Sequence, residues 1–249
     1  MKPLLRMLQD SINTSNTRRI SVRAGGFSIS ISPTETLAWL NDAVPVEDPA
    51  PGDIEEMIGV FRSYERQPRL EFFTQLWPHV PKQLEDFGFV LKETQPAMLM
   101  SNGSWQGYPT AIDVELAGPD SAAAVNRVGH QVFEAPGDPD PAREEAIRES
   151  LARGSSSAAY ATVDGEVAGV GRAVGTDKVR EIVSVATLPA FRRRGIASAV
   201  TARLLEDFFD AGGQYAWLTA ADDAAMAVYA KLGFQEIAEQ CCYVLPGPS

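Results

Sequence analysis

The second half of the chain predicts an α/β fold of the α+β type, with helices packed on the faces of one mixed central sheet. From residue 111 onward the predicted elements follow the order strand, helix, helix, three strands, helix, strand, helix, strand. An Asp164-Gly165 pair between two alternating apolar runs adds a strong hairpin signal. Together these features predict a layered domain built on a sheet.

The first elements of this half are a strand and two helices. Ile112, Val114 and Leu116 alternate with polar residues, which predicts a strand. Residues 119–121 provide a helix cap before apolar positions that recur up to Phe133. An acidic, proline-rich loop at 135–141 then precedes a polar helix over 141–153.

The remaining elements of this half are three strands, of which the first two form the hairpin, followed by helices and strands in alternation. The predicted segments are strands at 158–163, 167–173 and 179–187, a helix at 193–211 that stops at Gly212-Gly213, a strand at 215–219, a helix at 222–232 and a strand at 234–245.

The first half is less regular. Its predicted segments are a hairpin over 20–31 around Gly25-Gly26, a linker or exposed loop at 45–51, a helix at 53–63, a strand at 70–73 and a short helix at 81–87 that runs into Gly88-Phe89.

Composition restricts the class of protein. The 249 residues suffice for one large domain or two modest ones, and no apolar run approaches the ~20 residues needed to span a bilayer. The apolar run at the amino terminus is too short for a secretory signal. The two cysteines, Cys241 and Cys242, are adjacent, so a structural disulfide between them is not expected. We therefore expect a cytoplasmic protein without membrane association.

The formal net charge of −11 argues against a general nucleic-acid binder, which needs a basic field. The same charge slightly favours a cationic or amine-bearing substrate. Neither His79 nor His130 lies in a cluster of metal-ligating residues, so no metal site is expected.

One basic segment stands out in this acidic chain. Residues 181–197 predict a strand, a short turn and a helix start, with three arginines at 192–194 before Gly195. A helix amino terminus offers unpaired N–H groups and a positive dipole end, and glycine lets a ligand approach the backbone. The segment therefore suits an anion such as a pyrophosphate. The alternative is an arginine-rich, solvated helix start.

Two motifs in this region resemble those of the GCN5-related N-acetyltransferase (GNAT) superfamily. Arg192-x-x-Gly195-x-Ala197 resembles the family's coenzyme A signature, and Asp222-x-x-Ala225-x-x-x-Tyr229-x-x-x-Gly233-Phe234 resembles its next motif. Both motifs occur in the family's order and spacing. The resemblance covers about residues 111–245 and implies a GNAT domain, with a mostly antiparallel central sheet flanked by helices.

The resemblance also implies roles for individual residues. Tyr229 would protonate the departing thiolate, and Glu181 is the candidate general base. Phe133 and Glu134 would lie where the family shapes its acceptor pocket. The residues implied to bind acetyl-coenzyme A are Val185, Ala186, Thr187, Arg192, Arg193, Arg194, Gly195, Ile196, Ala197, Ser198, Asp222 and Tyr229. Two of them depart from the commoner family residue: Ala197 replaces glycine, and Asp222 replaces asparagine.

A faint internal repeat suggests how the halves are related. Residues 84–89 match the shape of residues 229–234: a helix end, glycine, phenylalanine, then a strand. Chance remains open, because helices often end in this way. We predict domains at 1–107, a smaller and degenerate GNAT-like half, and at 108–249, the GNAT domain. Leu84 stands where Tyr229 stands, so only the second half would be active.

The sequence thus predicts an enzyme that moves an acetyl group from acetyl-coenzyme A to a primary amine of a small molecule or peptide. An inactive acetyl-coenzyme A-binding regulatory or adaptor module is the alternative. The overall charge disfavours a third possibility, nucleic-acid binding through the arginines. We expect a monomer or a homodimer.

Overall fold

The computed structural model describes residues 1–14, 19–33, 40–133 and 137–247. Its helices are α1 Lys2–Thr14, α2 Pro51–Ser63, α3 Val80–Asp86, α4 Ala122–Phe133, α5 Pro141–Ala152, α6 Ile196–Asp210 and α7 Asp223–Leu232. No helix in these ranges is long and apolar enough to cross a membrane.

The strands begin with a hairpin near the amino terminus and end with a long strand near the carboxyl terminus. They are β1 Ile20–Ala24, β2 Phe27–Ile31, β3 Asp42–Pro45, β4 Arg69–Phe73, β5 Val90–Ser101, β6 Asp113–Leu116, β7 Ser156–Val163, β8 Glu166–Gly175, β9 Val179–Thr187, β10 Tyr215–Thr219 and β11 Gln235–Val244.

By compactness the chain divides into two units. The first comprises residues 1–97 and 236–249, and the second comprises residues 98–235. Almost all of β11 therefore belongs with the first unit, whereas the predicted division at 107/108 assigns it to the second domain. A division by compactness does not test whether the two halves arose by duplication, so the degenerate GNAT-like first half stays a prediction.

The first unit is a sheet with its core beneath α2. Strands β1 to β4 lie in sequence order with β11 next to β4, and the pairing is antiparallel except between β3 and β4. Phe61 of α2 packs in the same core as Leu70 and Phe72 of β4 and Tyr243 of β11. The last strand of the chain thus completes the core of the first unit.

The second unit is a sheet in the order β10-β9-β8-β7-β6. All neighbours pair antiparallel except β9 and β10, which are parallel. Helices α6 and α7 pack on one side, in a core with Ile182 of β9. Helix α4, Ile147 of α5 and Ala186 of β9 form a separate core on the other face. The predicted α/β fold with a mostly antiparallel sheet is confirmed.

Two glycines of β8 allow α6 to lie close to the sheet. A Cβ at Gly169 would lie 2.4 Å from a methyl of Ile196, and one at Gly171 would lie 2.8 Å from a methyl of Val200. The start of α6 is thereby seated directly over β8, beside the end of β9.

Three details differ from the sequence prediction. Helix α6 begins at Ile196 instead of residue 193, because Gly195 has a φ of +83° and residues 189–191 form only a single 3-10 turn. Helix α1 and strand β3 were not predicted. The predicted linker at 45–51 forms a loop only between its ends, since Pro45 ends β3 and Pro51 begins α2.

The two matching helix ends in the sequence have the same backbone geometry. Gly88 and Gly233 both have positive φ, and the following phenylalanine N–H donates to the carbonyl of Leu84 in one and of Tyr229 in the other. This is a common way to satisfy helix carbonyls. Leu84 and Tyr229 thus hold the same position relative to the glycine that ends their helix, while their correspondence through a duplication stays a proposal.

Candidate active site

Strand β9 is interrupted in its middle by a bulge. Its register against β8 shifts between the Val170–Ala186 and Arg172–Val183 pairs, and Ser184 has a φ of +54°. A bulge bends its strand and leaves a residue out of the ladder. Peptide groups next to Ser184 are thereby turned out of the regular pairing with β8.

On its other side, β9 separates from β10. The parallel pairing joins residues 179–181 to residues 215–217 and ends at the pair of Glu181 with Trp217. Beyond it, among the described residues, β9 from residue 182 to Thr187 has no further pairing with β10. An extended ligand could add to this edge as a further strand does.

The open edge leads directly to the amino terminus of α6. Arg192, Arg193 and Arg194 are exposed, Arg192 donates from Nε to the carbonyl of Thr187 at 3.3 Å, and the guanidinium of Arg194 lies 5.3 Å from the ring centre of Phe191. Gly195 is the N-cap residue, and no described side chain caps this helix. Its first N–H groups, from Ile196 to Ser198, therefore have no partner within the helix, as an anion site requires.

Asp222 also stands at the start of a helix. Its Oδ1 accepts a hydrogen bond of 2.7 Å from the N–H of Ala225, which caps α7. The carboxylate that replaces the family's commoner asparagine thus has a capping role in this chain.

Tyr229 lies on α7, half-buried against the core shared with α6. Its ring meets that of Phe234 edge-on, with 5.9 Å between centroids. Burial raises the pKa of its phenol to about 12. The side chain therefore keeps its proton throughout the neutral range.

Glu181 lies on the opposite face of the sheet from α6. Its neighbours Arg180 and Ile182 face α6, since the guanidinium of Arg180 lies over the ring of Phe208 and Ile182 belongs to the same core. Successive side chains of a strand alternate between faces, so Glu181 projects toward the side of α4 and α5. The two predicted catalytic residues thus lie on opposite faces of one sheet.

The predicted acceptor-pocket residues, the two histidines and the two cysteines add little to the description of the site. Phe133 ends α4 with half of its side chain exposed, and Glu134 lies outside the described residues. His130 contacts the carbonyl of Gly137, and His79 contacts Asp48 at 2.6 Å. Burial raises the pKa of both the Cys241 and Cys242 thiols, which is typical of cysteines that pack in a core. The described residues include no group of three or more side chains arranged to hold a metal ion.

The bulge at Ser184 and the two crowded glycines of β8 are features that the sequence reasoning missed. Serine at a positive φ has no sequence signature, whereas Gly169 and Gly171 could have been noticed as alternating glycines within a strand.

Comparisons with known proteins bear on the fold of this domain. Residues 128–234 match the model of the Acetyltransferase (GNAT) family. A comparison with curated proteins gives no significant match.

Solved structures match over nearly the whole chain. A GCN5-related N-acetyltransferase from Kribbella flavida is 22% identical, with a TM-score of 0.79 over 98% of this chain and 96% of its own. A GNAT-family protein from Novosphingobium aromaticivorans is 15% identical, with a TM-score of 0.65 over 99% of both chains. A tandem GNAT protein from the clavulanic acid biosynthesis pathway is 14% identical, with a TM-score of 0.60 over 98% of this chain and 88% of its own.

The fold and the open strand beside a helix amino terminus define a GNAT-type domain. Residues 128–234 accordingly belong to the GNAT family of acetyltransferases. At these identities the structural matches show the fold alone. They extend it to both halves of the chain, in keeping with the predicted two-domain arrangement.

Proposed function

We propose that this protein transfers the acetyl group of acetyl-coenzyme A to a primary amine of a small molecule or peptide. The observation that carries the proposal is the open edge of β9, which runs from the bulge at Ser184 to the uncapped start of α6. A long ligand with an anionic middle fits such a path, because its extended arm can add to the strand while its phosphates meet the helix N–H groups.

The residues present fit the cosubstrate at both ends of this path. Backbone groups of Val185, Ala186 and Thr187 would hold the pantetheine arm. The pyrophosphate would lie on the N–H groups between residues 192 and 198, where Gly195 leaves the backbone accessible: a Cβ there would meet only a side-chain atom of Ile112, at 3.8 Å.

The proposed chemistry uses the two faces of the sheet. Acetyl-coenzyme A supplies the acetyl group as a thioester. Glu181 accepts the proton that the ammonium must lose before its nitrogen can attack. The N–H of Val185 donates to the negative charge that develops on the acetyl oxygen. The nitrogen bonds to the acetyl carbon and the bond to sulfur breaks, while the Tyr229 hydroxyl on the other face donates to the departing thiolate. The second proton of the amine leaves the nitrogen at this step and passes to the thiolate or to water.

Thiol release tests the proposal. Incubation with acetyl-coenzyme A and a panel of chemically diverse primary amines should produce free thiol and acetylated amine in equal amounts. Silence across the panel would count against an enzyme. If calorimetry still showed binding of acetyl-coenzyme A, the result would favour an inactive binding module.

A further inference from the structure

Arg172 of β8 lies on the same face of the sheet as Glu181. It pairs with Val183 of β9, and Val174 pairs with Glu181. Residues paired across strands share a face, and the Arg172 guanidinium reaches Ser150 of α5 on that side. Arg172 therefore belongs to the face from which an amine would approach Glu181.

The surroundings of Arg172 leave its positive charge poorly compensated. Among the described residues, its single hydrogen bond joins Nη2 to Ser150 Oγ at 3.5 Å, the upper limit for such a bond. Nε is inaccessible to water and has no hydrogen-bond partner in the part of the chain that the structure describes. Within the part of the chain that the structure describes, no carboxylate forms an ion pair with Arg172.

A second cation worsens this position. Burial, and next the nearby guanidinium of Arg143 on α5, lower the pKa of Arg172 to about 10. A half-buried cation beside another cation is costly unless an anion joins them. The planar fork of a guanidinium matches a carboxylate or a phosphate with two parallel hydrogen bonds.

The separation of Arg172 from Glu181 limits the size of the ligand. Glu181 is the diagonal neighbour of Arg172 across the β8–β9 pair, which corresponds to about 7–8 Å between the two positions. An amine at Glu181 and an anionic group at Arg172 would thus be joined by a few bonds, as in an amino acid.

We propose that the acceptor is a small amine that carries an anionic group, and that Arg172 binds this group while the amine meets Glu181. The inference rests on the proposed acetyl transfer and names the substrate class of that same site. Such a zwitterionic acceptor is compatible with the negative net charge of the chain, because its cation meets Glu181 while its anion meets Arg172.

The test compares amines that differ only in the anionic group. Glycine, β-alanine and 4-aminobutyrate carry a carboxylate, phosphoethanolamine carries a phosphate, and alkylamines of equal length carry neither. We expect kcat/KM about ten- to hundredfold higher for one of the anionic series, in line with a charge-assisted hydrogen-bonded pair. The preferred series identifies the anion.

Variants separate binding from folding. Arg172→Gln should remove the preference by raising KM for the anionic amines, and Arg172→Lys should keep part of it. Arg148→Gln is the matched control, since Arg148 lies on the same helix as Ser150 but is already held by Glu144 and Glu145.

Equal use of charged and neutral amines by the wild type would overturn the inference, as would an unchanged preference in Arg172→Gln. Calorimetric binding of the anionic amines to the coenzyme A-saturated protein gives a readout independent of turnover. Binding of the anionic amines that needs Arg172, without any thiol release, would refute acetyl transfer and retain the anion site. If the protein neither bound these amines nor released thiol, the anion site and acetyl transfer would both be overturned.

Discussion

At the scale of single residues, the phenol of Tyr229 shows how burial shapes the proposed reaction. With a pKa of about 12, it is a weaker acid than an ordinary thiol, whose pKa lies near 8.5. Full proton transfer to a thiolate would therefore run uphill. Tyr229 is better suited to share its proton with the departing sulfur through a hydrogen bond, which stabilises the charge without completing the transfer.

Replacing Tyr229 with phenylalanine should lower kcat about ten- to hundredfold, the cost of one charge-assisted hydrogen bond. Binding of acetyl-coenzyme A, measured by calorimetry, should change little because the ring and its contact with Phe234 remain. Tyr160→Phe is the control, since that exposed phenol bonds to Glu115 on an outer strand of the same sheet. Loss of cofactor binding in Tyr229→Phe would instead indicate a packing role.

The buried thiol of Cys242 gives a prediction about alkaline pH. Its pKa is raised from 9 to about 11, mainly by burial, so its contribution to stability is fully present below pH 9 and is lost as the pH rises toward 11. The loss amounts to about 1 kcal/mol per pH unit in this window. Urea unfolding between pH 7.5 and 10.5 should show a flatter decline for Cys242→Ala than for the wild type. Identical slopes would contradict a raised pKa.

At the scale of elements, Gly195 serves two requirements at once. Its positive φ stops the chain from becoming helical before Ile196, and its missing side chain leaves the first N–H groups of α6 open. The same residue thus sets where the helix begins and what the helix can bind.

Gly195→Ala should reduce stability by about 1–2 kcal/mol, the cost of a left-handed conformation for alanine, and should also weaken coenzyme A binding. Gly165→Ala is a matched control: Gly165 has a φ of +80° in the β7–β8 turn with open space around it, so the same loss of stability is expected without an effect on binding. Thermal unfolding and calorimetry measure the two effects. Equal affinities of both variants for coenzyme A would contradict the proposed binding of the pyrophosphate by the N–H groups between residues 192 and 198.

Much of the second unit follows from local sequence. The Asp164-Gly165 turn, strand β9 and helix α7 were predicted to within a residue or two, because alternation, turn residues and caps act over short distances. The bulge at Ser184 was not, since an alternating pattern fits a regular and an interrupted strand equally well. The face of the sheet on which Glu181 lies and the environment of Arg172 depend on register, which joins residues distant in sequence.

At the scale of the whole molecule, the first unit depends on the pairing of β4 with β11, two strands that lie far apart in the sequence. Strand β11 follows the second unit in the chain but contributes Cys241, Cys242 and Tyr243 to the interior of the first. Local patterns identified it as a strand, yet nothing in a single sequence states which strand it pairs with. The predicted boundary at 107/108 consequently separates it from its neighbour β4.

Deleting residues 236–249 should therefore damage the first unit far more than the second. Amides of residues 69–73 in β4 should lose protection from hydrogen exchange, while those of β7 and β8 should keep theirs. Deletion of residues 246–249 alone, beyond β11, is the control and should leave both sets protected. Equal loss in both sheets would show that the two units unfold together.

The position of β11 also orders events during synthesis. A ribosome releases domains from the amino terminus, and each ordinarily folds as it emerges. Here the first unit emerges early but cannot close until the final strand arrives, after residues 98–235 have been made. The second unit can thus fold first, while the strand position next to β4 in the first unit stays unpaired. An unpaired strand edge can pair with another chain, so the nascent chain is exposed to aggregation during this interval.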